Sequence, residues 1–470
     1  SKGMHKLLKE LLPQIKGKID ETLSDDILSR LVLPNKEEAL MNIHNPKGLK
    51  SLERAQKRLK FEELFFLQFH LLKMKLSRKK KLKGFEISTL GKSFNTYYDE
   101  ILQFELTNAQ KKVLKEIRAD VKKQFQMNRL LQGDVGSGKT LVALLSMLMV
   151  VDNHYQACMM APTEILAQQH FNNLSAELSK LNVKIALLTG SIKNKERKIL
   201  LEELENGAID ILIGTHALLE DSVVFKNLGF VVIDEQHRFG VAQRAKLWKK
   251  NTIPPHILVM TATPIPRTLS MTLYGDLDVS VIDELPPGRK EIKTLWRSDS
   301  SRLRVNKFMR EQIEIGRQIY IVYPLIQESE KLDYKDLMDG YKAILGEFPM
   351  PDFQVSVVHG RMKADDKEYE MKRFVDGITN IMVATTVIEV GVDVPNASVM
   401  LIESAERFGL SQLHQLRGRV GRGAEQSYCI LLSGHKISNE GKIRLETMAS
   451  TNDGFKISEE DLKLRGPGDM

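Results

Sequence analysis

The chain has 470 residues, 69 of them Lys or Arg and 61 Asp or Glu, for a formal net charge of +8. That length predicts about three domains, and a 42% hydrophobic, 28% charged composition excludes disordered and fibrous classes. No apolar run reaches the roughly 20 residues of a membrane span, and the two cysteines, Cys158 and Cys429, sit singly in apolar runs, which excludes a disulfide framework.

In chain order, the N-terminus leads into an amphipathic pattern and not a signal-peptide core. Residues 6–15 and 49–76 carry leucines and phenylalanines at helical spacing. The second stretch runs into Arg78-Lys-Lys-Lys-Leu-Lys83, a charge block that fits either a phosphate contact or a solvated linker. The first 100 residues hold 21 basic and 13 acidic residues, and the remaining 370 hold 48 of each. The basic excess therefore belongs to the N-terminal segment, as expected beside a polyanionic partner.

From about residue 104 short apolar runs alternate with helical patterns, at 129–132, 156–161, 184–188, 211–214, 230–233 and 256–260. This is the rhythm of a parallel α/β sheet. Glu284-Leu-Pro-Pro-Gly-Arg289 breaks it, and it returns at 318–323, 354–358, 380–384, 398–402 and 427–432. The expected architecture is α/β: two tandem parallel-sheet lobes with a helical segment at each end. The expected boundaries are a basic helical connector over 1–100, lobes over 101–285 and 286–435, and a partial helical hairpin over 436–470. The chain starts without Met and stops just after a Gly-Pro-Gly turn, which reads as a fragment.

The chemistry starts at Gly133-Asp-Val-Gly-Ser-Gly-Lys-Thr140, a phosphate loop in its strand–loop–helix context. Its glycines bring backbone N–H groups, from Gly133 through Asp134, Val135, Gly136, Ser137 and Gly138, close to phosphate oxygens. Lys139 is expected on the β and γ phosphates and Thr140 on Mg²⁺. A second apolar strand ends in Asp234-Glu235, with Asp234 suited to Mg²⁺ and Glu235 to the attacking water. Gln415-Leu-Arg-Gly-Arg-Val-Gly-Arg422 supplies planar guanidinium groups for a transferring phosphoryl. Arg419 and Arg422 are expected one helical turn apart. Only the first lobe carries a phosphate loop, so the site is expected in the cleft between lobes. A metabolic P-loop kinase would not need the second lobe; a catalytically inert nucleic-acid-binding module would not need these side chains.

Together these motifs resemble a superfamily 2 helicase core, with RecA-like lobes, and within it the RecG family of ATP-dependent DNA helicases. Phe104-Glu-Leu-Thr-Asn-Ala-Gln110 is similar to the family's adenine-recognition element, and Ala161-Pro-Thr-Glu-Ile-Leu-Ala-Gln168 to motif Ia. Asp234-Glu-Gln-His237 is similar to motif II, Thr261-Ala-Thr-Pro-Ile-Pro-Arg267 to motif III, Thr385-Thr-Val-Ile-Glu-Val-Gly-Val-Asp393 to motif V and 415–422 to motif VI. Residues 446–455 and 464–469 resemble the family's translocation element, without its usual end. The alternating strands of the family's N-terminal OB-fold wedge are not found in 1–83.

The resemblance implies that ATP hydrolysis drives movement along double-stranded DNA. Phe104 and Gln110 would bind adenine, and Gly391 and Asp393 would join ATP binding at the lobe interface. Pro162, Thr163, Gly190, Thr215, Thr385 and Thr386 would contact DNA. Gln236, His237, Thr261 and Thr263 would couple the two sites, and Gln415 would act with the arginines. The implied cofactors are ATP and Mg²⁺. The implied partner is branched duplex DNA (stalled forks and Holliday junctions), with a single-stranded DNA-binding protein as a further one, for a cytoplasmic, nucleoid-associated bacterial monomer. A transcription–repair coupling factor-like translocase and an RNA helicase are the alternatives.

Overall fold

The structure, a computed structural model, describes residues 2–81, 83–235, 250–261, 265–266, 277–286, 288–324, 330–385, 394–421, 423 and 425–466. Residues 1–78 form a unit of their own, with helices α1 (Lys2–Ile15), α2 (Asp25–Leu31), α3 (Lys36–His44) and most of α4 (Leu49–Lys81). Helix α3 starts where Asn35 accepts the Glu38 N–H at 2.7 Å, with Glu37 and Glu38 favourably placed in its first turn. Arg58 is fully buried and donates to Glu21 and Glu62, each at 2.5 Å, while Lys36 pairs with Glu62 at 3.0 Å. A buried guanidinium is tolerated only when paired in this way.

The first lobe is built on a seven-stranded parallel sheet. Its strands are β1 (Asn128–Gly133), β2 (Gln156–Met160), β3 (Ile185–Leu188), β4 (Ile211–Gly214), β5 (Leu228–Ile233), β6 (His256–Thr261) and β7 (Asp278–Ile282). Their order is β3-β4-β2-β5-β6-β1-β7, and helices α5 (Lys92–Thr96), α6 (Asn108–Val121), α7 (Lys139–Val151), α8 (Glu164–Leu178) and α9 (Asn194–Asn206) accompany the sheet. Most of these strands are continuous apolar runs because both sheet faces are covered. Cys158 lies at the centre of β2, fully buried, as its apolar run predicts.

The second lobe repeats the plan with six parallel strands. They are β8 (Lys293–Ser298), β9 (Gln318–Tyr323), β10 (Val355–Val358), β11 (Ile381–Thr385), β12 (Ala397–Ile402) and β13 (Tyr428–Ser433), in the order β10-β11-β9-β12-β13-β8. Its helices are α10 (Arg302–Glu314), α11 (Glu330–Glu347), α12 (Ala364–Val375), α13 (Leu410–Arg417), α14 (Asn439–Ser450) and α15 (Gly454–Arg465). Leu445 and Met448 of α14 and Ile457 of α15 join the second lobe's apolar core. The repetition reaches single side chains. Gln156 opens β2 and donates to the carbonyls of Leu204 in the last turn of α9 and Ile209 beyond it; Gln318 opens β9 and donates to those of Phe374 in the last turn of α12 and Thr379 beyond it.

Two features differ from expectation. Strands β7 and β8 flank the Pro-Pro-Gly linker at the edges of their sheets, and β8 is half solvent-exposed with Lys293, Arg297 and Ser298 along it, so neither shows an apolar run. The helix expected to carry Arg419 ends at Arg417. Gly418 to Val420 continue as a tighter turn, with Arg419 N–H donating to Leu416 and Val420 N–H to Arg417.

Candidate nucleotide site

The carboxyl ends of parallel strands are where an α/β sheet binds ligands, and the first lobe gathers its motif residues there. The phosphate loop leaves β1, Thr163 follows β2, Gly190 follows β3, Thr215 follows β4, Asp234 and Glu235 follow β5, and Thr261 ends β6. The second lobe places Thr385 at the corresponding end of β11.

Gly136 and Gly138 take φ of +75° and +84°, a left-handed backbone that other residues enter at a cost, and α7 begins directly at Lys139. The loop's N–H groups and the helix N-terminus together make an anion cradle. Lys139 Nζ donates to the Gly133 and Asp134 carbonyls at 2.7 and 2.8 Å, which holds the ammonium within the loop. Ser137 Oγ is buried and has no hydrogen-bond partner among the described residues. Gln110 is also buried: its amide oxygen accepts the Thr107 N–H at 2.9 Å, capping α6, and its Nε2 donates to the Ser137 carbonyl at 2.9 Å. The amide therefore braces the phosphate loop, while Phe104 is half-exposed nearby in sequence.

Asp234 is nearly buried, and His170 Nε2 from α8 lies 3.0 Å from its Oδ2. An ionised carboxylate only accepts, so the imidazole proton sits on Nε2. Burial pushes the Asp234 carboxyl up, but the hydrogen bond and charge of His170, the charge of Lys139 and the Glu235 N–H together hold it below the usual carboxylate range. Glu235 adopts φ +53°, a strained conformation for a residue with a side chain, at the point where a catalytic carboxylate is expected. Among the described residues no three His, Cys, Asp or Glu side chains converge on a metal position. Asp234 and the Thr140 hydroxyl are oxygen donors of the kind that share a hard divalent ion with nucleotide phosphates.

The second lobe meets this site directly. His414 Nε2 lies 3.0 Å from Asp134 Oδ1, and the Gly454 N–H at the start of α15 donates to Asp134 Oδ2 at 3.3 Å. Burial pushes the Asp134 carboxyl up, and His414, Gly454 and the Lys139 charge more than offset it, leaving it low. Arg417 Nη2 donates to His414 Nδ1 at 3.1 Å, which only the Nε2-protonated tautomer accepts. Arg417 is buried and also donates to the carbonyls of Met448, Thr451 and Asn452 between α14 and α15.

Of the candidate DNA contacts, Gly190 is exposed, with its N–H bonded to Glu164 Oε1 at 2.8 Å; Pro162 and Thr163 are half-buried, and Thr163 caps α8. Thr215 and Thr385 are buried, and among the described residues neither hydroxyl has a hydrogen-bond partner. Gln415, within α13, and Arg419, in the turn after it, are half-buried. Gln236, His237, Thr263, Thr386, Gly391, Asp393 and Arg422 lie outside the described residues. Sequence reasoning missed His170, Arg289, His414 and Arg417. Only their proximity to motifs Ia and VI and to the linker could have pointed to them.

Two parallel-sheet lobes around one phosphate loop define a helicase-type core. Matching family descriptions follow the lobes: DEAD/DEAH box helicase over residues 107–272 and helicase conserved C-terminal domain over 303–424. The chain is 46% identical over 469 residues to the ATP-dependent DNA helicase RecG of Bacillus subtilis, covering all of this chain and 68% of that protein. It is 48% identical to the Synechocystis RecG, covering 97% of this chain and 54% of that one. A solved structure of RecG bound to a three-way DNA junction superposes with a TM-score of 0.81 at 43% identity, over 99% of this chain and 61% of the other. The helicase MrfA bound to DNA, 18% identical with a TM-score of 0.57, shares the fold. The chain belongs to the RecG family, and it spans between about half and two thirds of the length of these relatives.

Proposed function

We propose that this chain is an ATP-dependent DNA helicase motor acting on branched DNA, at stalled forks and Holliday junctions, in bacterial replication restart, recombination and repair. The observation that carries it is the second lobe's direct contact with the phosphate loop through Asp134, within a chain nearly half identical to RecG throughout. A nucleotide bound there would lie where both lobes can respond to it. The division into a connector over 1–100, lobes over 101–285 and 286–435 and a helical element over 436–470 belongs to the same reading.

ATP binds with its phosphates on the loop's N–H groups and Lys139; Thr140 and Asp234 would hold Mg²⁺, which would supply charge neutralisation for the transferring phosphoryl. Glu235 orients and deprotonates the attacking water. Lobe closure brings the segment carrying Gln415 and Arg419 to the nucleotide, and reopening follows hydrolysis. Pro162, Thr163 and Gly190 in one lobe and Thr385 in the other hold DNA phosphates, the Thr215 and Thr385 hydroxyls having no hydrogen-bond partner among the described residues. Such contacts are independent of sequence and sensitive to salt. We place the protein in the cytoplasm as a monomer, with a single-stranded DNA-binding protein as a family-type partner.

The test is the rate of phosphate release with single-stranded, duplex and branched DNA and with RNA. Stimulation by DNA, strongest with branched forms, is expected; stimulation by RNA alone, or none by any of them, would refute the reading. His170 positions Asp234, so His170→Ala should raise the half-saturating Mg²⁺ concentration about tenfold, as loss of outer-shell partners does. An unchanged Mg²⁺ titration would show that Asp234 needs no such support.

A further inference from the structure

The linker between the lobes does more than connect them. It closes a turn in which the Arg289 N–H bonds to the Pro286 carbonyl, and the half-buried Arg289 side chain then reaches both lobes at once. Its Nη1 donates to the Val135 carbonyl in the phosphate loop at 2.5 Å. Its Nε donates to the Gly421 carbonyl, two residues beyond Arg419, at 2.9 Å. The guanidinium lies so close to the loop that a Cβ on Gly136 would fall 1.9 Å from Nη1. The second lobe presses on the same spot, where a Cβ on Gly418 would fall 2.8 Å from Val135.

We propose that Arg289 is a positioning residue for ATP hydrolysis, a strut that sets the phosphate loop and the arginine-bearing turn of the second lobe in register. This inference rests on the ATPase reading above. Two physical points support it. In a planar trans peptide the Val135 carbonyl and the Gly136 N–H point in opposite directions, so fixing the carbonyl fixes the orientation of a loop donor. The other end of the guanidinium fixes the Gly421 carbonyl, just past the tighter turn that carries Arg419 beyond the end of helix α13. Only a planar fork spans two carbonyls on separate lobes; the single ammonium of lysine supplies the same charge without that geometry.

Charge and geometry can therefore be separated. With wild-type protein and a branched DNA activator, Arg289→Ala should lower kcat for ATP hydrolysis about thirtyfold, because small misplacements of reacting groups carry large rate effects. It should also raise KM for ATP about threefold through the lost positive charge beside the loop. Arg289→Lys should restore KM and leave kcat low. The strut is refuted if Arg289→Ala hydrolyses ATP within twofold of wild type, or if Arg289→Lys restores kcat as well, which would make charge alone responsible. Thermal melting of both variants checks folding, and should Arg289→Ala not fold, the kcat of Arg289→Lys decides. A wild-type protein without DNA-stimulated hydrolysis would instead remove the ATPase reading, so the two failures are distinct.

Discussion

Lys139→Ala is expected to lower DNA-stimulated ATP hydrolysis by about a thousandfold or more, the scale seen when one preorganised group facing developing charge is removed. The ammonium is already held in place, donating to two loop carbonyls at 2.7 and 2.8 Å in a site where it is mostly buried. The charge has a second role, since Lys139 is among the groups that hold both Asp134 and Asp234 ionised. Its removal therefore weakens the loop, the metal-binding carboxylate and the lobe contact together. Stability should fall as well, because two loop carbonyls lose their donor and two buried carboxylates lose a nearby cation. Steady-state phosphate release, read beside a melting curve, checks this. Near-wild-type hydrolysis by a folded variant would overturn the phosphate-loop assignment.

The parts of this site that were legible in the sequence are those whose chemistry is local. Residues 133–140 and 230–235 each carry strand, turn and reactive group in one short run, so both strand ends and the loop were predicted where they occur. The contacts that join the lobes leave no such trace. Asp134 meets His414 and Gly454, 280 and 320 residues away, and Arg289 meets Val135 across 154 residues. Each of these residues looks like an ordinary polar residue of a loop or helix. Strands β7 and β8 were missed for a related reason. An edge strand buries only part of its surface, so its sequence need not be apolar. The run at 415–422 misled in the opposite sense. It was expected to set Arg419 and Arg422 one helical turn apart, yet the helix ends at Arg417, itself a buried structural group, and Arg419 lies in the turn beyond it.

Arg417→Met is expected to be the most destabilising of the substitutions considered, by about 3 kcal/mol. Arg417 is 2% exposed, and its guanidinium donates to the carbonyls of Met448, Thr451 and Asn452 at 3.0, 2.8 and 3.2 Å, and to His414 Nδ1. Burial lowers its pKa, and the nearby Cys429 and Asp134 offset this only in part. Methionine fills much of the volume and removes every donor, so one buried and two half-buried carbonyls lose this partner. For a lobe of this size 3 kcal/mol corresponds to about 6–12 °C in Tm. Amide exchange should quicken across residues 448–454, because the guanidinium holds that segment between α14 and α15. The same segment presents the Gly454 N–H to Asp134, and Arg417 also fixes the His414 tautomer that donates to Asp134. Loosening it should therefore uncouple the helical pair from the phosphate loop. Basal hydrolysis would persist while its stimulation by DNA falls about tenfold. An unchanged Tm with unchanged exchange over 448–454 would show that these carbonyls do not depend on Arg417, and the route from the phosphate loop to α15 would then run through Asp134 and Gly454 alone.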